Sequence, residues 1–500
     1  MLSRVLGLLR DALMAALIGA GPVLDAFVVA LRLPSMFRQM FAEGALSASF
    51  VPMFADKLHK DGDQKARQFA SSVASFFLLT IGSATTLAII FMEPIVRIIA
   101  ADIVNFDMAV LLSRITSIYL LCMVLTALIS GVLNTKRHFA AGAIAPILFN
   151  VCTILGLIIS FQFFGVTAEF GGLVLAIAVA IAGFLQVVFV WFVAAQKFHF
   201  VLMFPLPKIT PDIRRLFGLM IPGLIAAGGL QLNTLIGIKL ASANEAGLGY
   251  VYLAERLYQL PIGLIAVAFG VAALPQLSGF FANNQRDKAI ETITLGVELA
   301  FLIAMPASLA LIAMPDVIVR LIFEHGATTA DDTIIIAGLV SFYALALPAL
   351  AIQRVYNASF HARKDMRPPM LLTLIGVCFN VVIAVLTFES LGLIAIPIAI
   401  AASAWLQAIG SAYWVARKGL WQPTGAQWWR LGAIGSSAII MAAAVWLAKG
   451  YVLNWVADSF FGLIIGTILM IIFGMSVYFL MLVVLRGLAP EAKWILKRAK

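Results

Sequence analysis

Residues 3–21, SRVLGLLRDALMAALIGAG, and residues 24–52, LDAFVVALRLPSMFRQMFAEGALSASFVP, place Arg4, Arg10, Asp11, Asp25, Arg32, Arg38 and Glu43 within two strongly apolar stretches. Each stretch is long enough for a membrane helix. A charge at the centre of a bilayer costs at least about 2.5–3.5 kcal/mol, so one persists there only against a partner or a watery cavity. We therefore expect an all-helical membrane protein whose first two helices line a polar cavity for an anionic ligand.

The remainder of the chain is written in the same composition. Of 500 residues, 63% are hydrophobic and 12% charged, and the mean hydropathy is +1.04. A water-facing surface needs far more charge, so these values exclude a soluble domain. Residues 3–20 contain arginines and no small-residue cleavage site, so membrane delivery is expected to rely on uncleaved helices. Cys122, Cys152 and Cys378 stand in apolar stretches without CxxC or Cys/His spacing and read as packing residues.

Spans of roughly 20 apolar residues, the length a 30 Å hydrocarbon core requires, recur about fourteen times. Sorting Lys and Arg by connecting loop puts 23 cations on one side and four on the other: Arg97, Arg114, Arg320 and Lys449. The positive-inside rule then makes both termini cytoplasmic. The net charge of +10 is accordingly a topology signal with some attraction to anionic headgroups, and nucleic acid is not an expected partner.

The stretch from Leu24 to Asp56 would make one helix of about 50 Å, too long for the hydrocarbon, so it is expected to tilt, protrude or break, with Pro34 and Gly44, bracketing Arg38, as the places for it. Residues 56–67 read as a polar cytoplasmic loop, and residues 197–215 as a linker with a short interfacial helix. Beyond it the pattern returns. Leu33-Pro34 and Phe54-Ala55 recur as Leu260-Pro261 and Phe281-Ala282 at a shift of 227, and Val132, Asn134, His138 and Pro146 recur as Val355, Asn357, His361 and Pro369 at a shift of 223. Duplicated lobes with an even number of spans share one orientation, which places a substrate cavity between them. The expected organisation is a six-helix lobe at 1–200, a second six-helix lobe at 201–420, and two additional helices with a basic tail at 421–500.

Arg10 falls about ten residues from the outer end of span one, near mid-membrane at 1.5 Å per residue. It is either a structural partner of Asp11 or Glu43 or a ligand group. Arg4 lies nearer the cytoplasmic end, where snorkelling competes with binding. Arg38 follows the Pro34 break. Glu255-Arg256, in YLAERLYQLP, occupy the span corresponding to span two, yet Arg256 does not align with Arg38, so this cation was placed independently. Arginine suits phosphate because its planar fork donates two parallel hydrogen bonds and stays charged. Arg4, Arg10, Arg38 and Arg256 against Asp11, Glu43 and Glu255 make a net-positive set suited to a diphosphate. Asp25, at the outer end of span two, gates the cavity or caps a helix. Lys239 and Arg354 are close enough to helix ends to snorkel, and Glu324-His325 and Asp331-Asp332 read as solvated residues of an external loop.

No GxxxxGK[ST] loop, HExxH or zinc spacing is present, and the five histidines are scattered. We expect a transporter with no catalytic residue, metal or cofactor, driven by an ion gradient, the membrane potential or the substrate gradient.

The block from Ser3 to Phe54 resembles the N-terminal signature of the MurJ/MviN family of bacterial lipid II flippases. YLAERLYQLPIGLIAVAFGVAALPQLS, from Tyr252, is similar to that family's eighth span, and LIFEHG, from Leu321, to its short external motif. The resemblance weakens after about Arg417. It implies the multidrug/oligosaccharidyl-lipid/polysaccharide exporter fold: two six-helix lobes around a V-shaped cavity, and two extra helices forming a groove for a polyprenyl tail. It further implies movement of undecaprenyl-diphosphate-linked disaccharide pentapeptide to the outer leaflet of the bacterial inner membrane by alternating access, in peptidoglycan synthesis. Wall-synthesis and division proteins would be possible partners. The family's functional arginines correspond to Arg4, Arg10, Arg38 and Arg256, and its functional aspartate to Asp25. Members carry a leader ahead of SRVLG, which implies a start upstream of Met1 or a short first span. Acidic positions that bind sodium in some members correspond to Asn233 and Asn380, so no sodium site is carried over. Two other readings stand beside this one: a cation-coupled exporter of drugs or of another polyprenyl-linked glycan, which would favour acidic and aromatic cavity residues, and a non-transporting scaffold for cell-wall synthesis.

Overall fold

The computed structural model describes residues 2–165, 167–456 and 459–487, with the side chains of 42–45, 47–48, 163–164, 222, 225–226, 230, 264–274 and 453–456 outside the description. All regular structure among the described residues is helical. The chain divides into two compact units, residues 1–249 with 325–328, and residues 250–324 with 329–500.

Unit one contains α1 (Leu2–Ile18), α2 (Pro22–Phe37), α3 (Ser47–Ile90), α4 (Met92–Ile99), α5 (Phe106–Thr135), α6 (Ala140–Phe164), α7 (Ala168–Phe198), α8 (Pro211–Ala241) and the first residues of α9 (Gly247–Ala282). Unit two contains the rest of α9, then α10 (Arg286–Ala313), α11 (Pro315–Phe323), α12 (Ala330–Ala344), α13 (Leu347–Ala362), α14 (Arg367–Leu391), α15 (Ala395–Arg417), α16 (Gly425–Val456) and α17 (Phe460–Val484). By length and composition, nine helical segments among the described residues can cross a membrane; α12 with α13, and α14 with α15, each count there as one. An all-α polytopic membrane fold is therefore what the sequence builds.

Three local readings need correction. Around Arg38 the chain does not break: α2 runs into a π-helical segment, Arg38–Leu46, that continues into α3. Unwinding keeps the backbone groups bonded within the segment, which an open break in an apolar setting would not. Residues 56–67, read as a loop, are helical and form part of α3, turned at Gly62 where φ is +82°. Lysines and aspartates one turn apart support that helix, with Lys60 2.9 Å from Asp56 and Lys65 3.6 Å from Asp61. Residues 199–210 form no helix at all. Pro205 and Pro207 remove donors there, and α8 begins only at Pro211, where the Thr210 hydroxyl accepts from Ile213 N at 3.3 Å.

Close packing within unit one depends on small residues. A Cβ at Gly183 of α7 would lie 2.5 Å from the Tyr119 ring of α5, so only glycine allows that approach. In unit two, residues 345–346 interrupt the helix between α12 and α13. The carbonyls freed there are taken up from neighbours: Ser308 Oγ donates to Ala344 O at 2.6 Å and Trp405 Nε1 to Leu345 O at 3.0 Å.

Each unit repeats the same devices. Arg67 Nη2 donates to His199 O at 2.6 Å, and Arg286 Nη2 to Lys418 O at 2.8 Å; both pairs are separated by 132 residues. These clamps tie the start of one helical stretch to the end of α7 in unit one and of α15 in unit two. The short helices α4 and α11 also correspond, with Glu93 and Arg97 matching Asp316 and Arg320 at the shift of 223 already seen. The duplication thus extends to hydrogen bonds made by side chains.

Helix α16 is pinned to unit two at both ends. Arg430 forms a two-pronged pair with buried Glu298 of α10, at 2.6 and 2.9 Å, and Lys449 pairs with Asp316 of α11 at 2.9 Å. Removing one partner of such a pair strands the other charge, at a cost of roughly 3–5 kcal/mol, whereas a well-packed apolar pair is nearly neutral. Glu298→Ala is expected to lower the thermal unfolding temperature of the purified protein substantially, and Glu298→Met with Arg430→Met to recover most of the loss. Unfolding curves of the three proteins in one detergent check this; equal curves for wild type and Glu298→Ala would remove the pair from the stability of α16.

Candidate functional site

Arg10 and Asp11 are consecutive on α1, and consecutive helical side chains diverge. The long arginine stem overcomes this by folding back. Its Nε and Nη2 both donate to Asp11 Oδ1, at 3.0 and 2.7 Å, and its Nη1 donates to Asn150 Oδ1 of α6 at 3.2 Å. Asn150 Nδ2 in turn donates to Ser3 O and Pro146 O at 2.9 and 3.1 Å, and the Phe149 ring lies 5.4 Å from the guanidinium. Arg10 is 5% exposed and Asp11 1%. The structural partner weighed for Arg10 is thus Asp11; the side chain of Glu43 lies outside the description. Asn150 is a contributor that the sequence reading passed over. Its signal was an amide in the middle of a strongly apolar helix.

The other arginines of unit one are placed differently. Arg4 is exposed near the start of α1, and Arg38 is half-buried where α2 gives way to the π-helical segment. Beside Arg38, Gln39 Oε1 accepts from Gln231 Nε2 of α8 at 3.2 Å.

Asp25 is buried in the first turn of α2 and bonds beyond its own helix. Its Oδ1 accepts from Gly249 N, in the first turn of α9, at 2.6 Å. A carboxylate at a helix N-terminus satisfies an orphan amide and matches the positive end of the helix dipole. Gly249 makes the approach possible, since a Cβ there would meet Asp25 Oδ1 at 3.2 Å and Leu24 at 3.1 Å. Of the two roles open for Asp25, the geometry supplies a cap, directed to a helix more than two hundred residues away in sequence.

In unit two, Arg256 Nη2 donates to Tyr252 OH at 3.0 Å, and the guanidinium lies 4.7 Å from the Tyr252 ring centre. Glu255 accepts from Gln259 Nε2 at 2.9 Å. Both are half-buried on α9. Asp332, expected to be simply solvated, accepts from Tyr250 OH at 2.6 Å and completes a capping box with Thr329 at the start of α12.

The LIFEHG motif contributes structurally to unit one. Just beyond it, Ala327 N donates to Ala16 O at 2.8 Å, and Thr328 Oγ1 donates at 2.7 Å to Ala15 O, which also accepts from Gly19 N at 3.0 Å, so residues 327 and 328 cover carbonyls at the end of α1. Gly326, at φ +59°, is required there, because a Cβ would lie 2.1 Å from Ala16 O.

A family model described as lipid II flippase MurJ matches residues 14–488, so Arg4 and Arg10 stand ahead of the matched region. A probable lipid II flippase MurJ of Rhizobium meliloti (strain 1021) is 34% identical over 461 residues, covering 91% of this chain and 85% of that protein. Another from Rhizobium tropici is 32% identical over 498 residues, covering 97% and 92%. Among solved structures, a lipid II flippase MurJ in an inward closed conformation matches with a TM-score of 0.81 at 24% identity over 96% of both chains. An inward-facing MATE transporter of the MOP superfamily matches with a TM-score of 0.70 at 16% identity, over 83% of this chain and 94% of the other. The fold is therefore shared with both, and by sequence the chain belongs to the lipid II flippase MurJ family.

Proposed function

We propose that this protein is a lipid II flippase of the bacterial inner membrane, carrying the lipid-linked peptidoglycan precursor to the outer leaflet by alternating access. The observation that carries this reading is membership of the family across nearly the whole chain. Buried and half-buried arginines in helices that lipid surrounds supply matching chemistry. In this reading Arg4, Arg10, Arg38 and Arg256 take the diphosphate, and Asp11, Asp25, Glu43 and Glu255 orient them or gate the path. Asp11 and Asn150 fix the Arg10 guanidinium in one rotamer, which lowers the ordering cost of binding.

The fourteen spans of the proposal are α1, α2, α3, α5 to α10, α12 continued by α13, and α14 to α17, with both termini cytoplasmic. Residues 1–200 and 201–420 are the two lobes and 421–500 the addition, which meets the polyprenyl tail. The protein acts without catalytic residue, metal or cofactor, alongside membrane lipids and wall-synthesis and division proteins. Cation-coupled export and the scaffold role are outcomes of the test.

That test measures outer-leaflet lipid II in cells depleted of their own flippase and supplied with this protein. Wild type is expected to restore exposure. Arg10→Ala and Arg256→Ala, at equal membrane levels, are expected to lose roughly tenfold or more, the factor set by one charge-assisted contact of about 1.5–3 kcal/mol. Variants as active as wild type would make the arginines structural, and inactive wild type would bring the exporter and scaffold readings forward.

Asp25 separates two roles. Asp25→Ala leaves the Gly249 amide without its acceptor and is expected to cost about 1–3 kcal/mol in unfolding experiments. Asp25→Asn keeps an acceptor oxygen and is expected to cost less. If Asp25→Asn folds as stably as wild type but fails in the lipid II assay, its charge acts in transport; if Asp25→Asn destabilises as much as Asp25→Ala, the capping account is wrong.

A further inference from the structure

Helices of both units end in left-handed turns: Arg137 after α5 and His199 after α7 in unit one, and Asn284 after α9, Lys364 after α13 and Gly419 after α15 in unit two. The clamps of Arg67 and Arg286 belong to these ends. The charge around them, however, has diverged.

In unit one the segment ahead of the clamping arginine carries Asp56, Asp61 and Asp63, and the cations there are matched. Lys136 lies 2.7 Å from Asp63, Lys57 2.8 Å from Asp212, and Lys60 2.9 Å from Asp56. In unit two the residues directly ahead of Arg286 are Asn283, Asn284 and Gln285. The place of Lys136 at the end of α5 is taken by Arg363 at the end of α13; each lies against a ring, Lys136 5.5 Å from Phe198 and Arg363 5.7 Å from Phe281. Ahead of its clamping arginine unit one thus carries aspartates, and unit two carries amides, with Asp287 following Arg286.

Between these helix ends unit two holds a cavity of about 800 Å³, lined among others by Asn284, Arg286, His361, Arg363, Lys364 and Lys418. Asp365 pairs with Lys418. Arg286, Arg363 and Lys364 remain as an excess of positive charge around the opening, beyond what a dipole at a helix C-terminus needs for balance. Burial, and after it the charge of Arg363, depress the Lys418 ammonium below its usual value, as expected where cations crowd.

We infer that this cavity is a binding site for a phosphate group, separate from the proposed transport site. Arg256 lies on the same helix but roughly 35 Å away from the cavity's Phe281 at 1.5 Å per residue. Two forked guanidinium groups, a lysine and the Asn284 amide offer the donors that phosphate oxygens take. The phosphate comes either from a lipid headgroup or from a soluble ion.

The full chain carrying Arg256→Gln, in which the proposed transport site is weakened, is titrated in detergent separately with labelled inorganic phosphate and with labelled short-chain phosphatidic acid. Saturable binding of at least one probe is expected. Asn284→Asp, which keeps a residue tolerant of the left-handed turn and adds an acid beside the cations, is expected to weaken it roughly tenfold or more at unchanged melting temperature. Arg363→Gln with Lys364→Gln is expected to weaken it at least as much. Binding of inorganic phosphate assigns a soluble source, and binding of phosphatidic acid alone a lipid headgroup. If neither probe binds saturably, or if Asn284→Asp and the double variant bind like their parent, the inference is overturned. Because the readout is binding and not lipid II exposure, this result is independent of the transport reading.

Discussion

In a chain surrounded by hydrocarbon, every charge and every backbone amide must find its partner within the protein, and this constraint governs each feature of the structure. It explains why Arg10 folds back onto its own neighbour, why Glu298 meets Arg430 with both oxygens, and why the carbonyls at 344 and 345 receive a serine and a tryptophan. Lipid is as apolar as leucine, so the hydrophobic effect does not itself pair the helices, and close packing at small residues such as Gly183 acts together with polar contacts. Polar pairs at a few points therefore help decide which helix lies against which.

The two-unit architecture rests on that logic. Sequence matches at shifts of 227 and 223 were weak one by one, since leucine, valine and alanine crowd the whole chain. The clamps of Arg67 and Arg286 are stronger testimony, because an arginine bonded to a carbonyl 132 residues ahead is not a product of composition. What duplication preserved is the closure of helix ends. The surroundings of the intramembrane arginines were not copied: Arg10 is held by Asp11 and Asn150 in unit one, whereas Arg256 lies over Tyr252 in unit two.

Composition and periodicity were enough to read an all-helical membrane fold, and of the charges that burial cost marks in the sequence, Arg10, Asp11 and Asp25 are buried in the structure while Arg38 and Arg256 are half-buried. Local polarity misled at residues 56–67. Charged residues suggested a loop there, yet ion pairs one turn apart hold them in a helix that only Gly62 interrupts. Partners across the chain were unreadable for a different reason. Nothing near Asp25 announces that its acceptor oxygen faces Gly249, and nothing near Ala16 announces that residues 327 and 328 will cover its carbonyl and that of Ala15. Such bonds are set by where helices end in space, which local sequence does not encode.

The structural partners of Asp25 and Arg10 do not compete with the roles proposed for them. A buried carboxylate that accepts from Gly249 satisfies an amide in the first turn of α9. A guanidinium held by Asp11 and Asn150 is at once neutralised and oriented. The partner that makes each buried charge tolerable also removes its freedom, and a charge already fixed binds an anion at lower entropic cost than one that must first be ordered. In a membrane protein the requirement to satisfy a charge therefore tends to preorganise it, so a paired arginine is a better candidate for a phosphate site than its pairing alone would suggest.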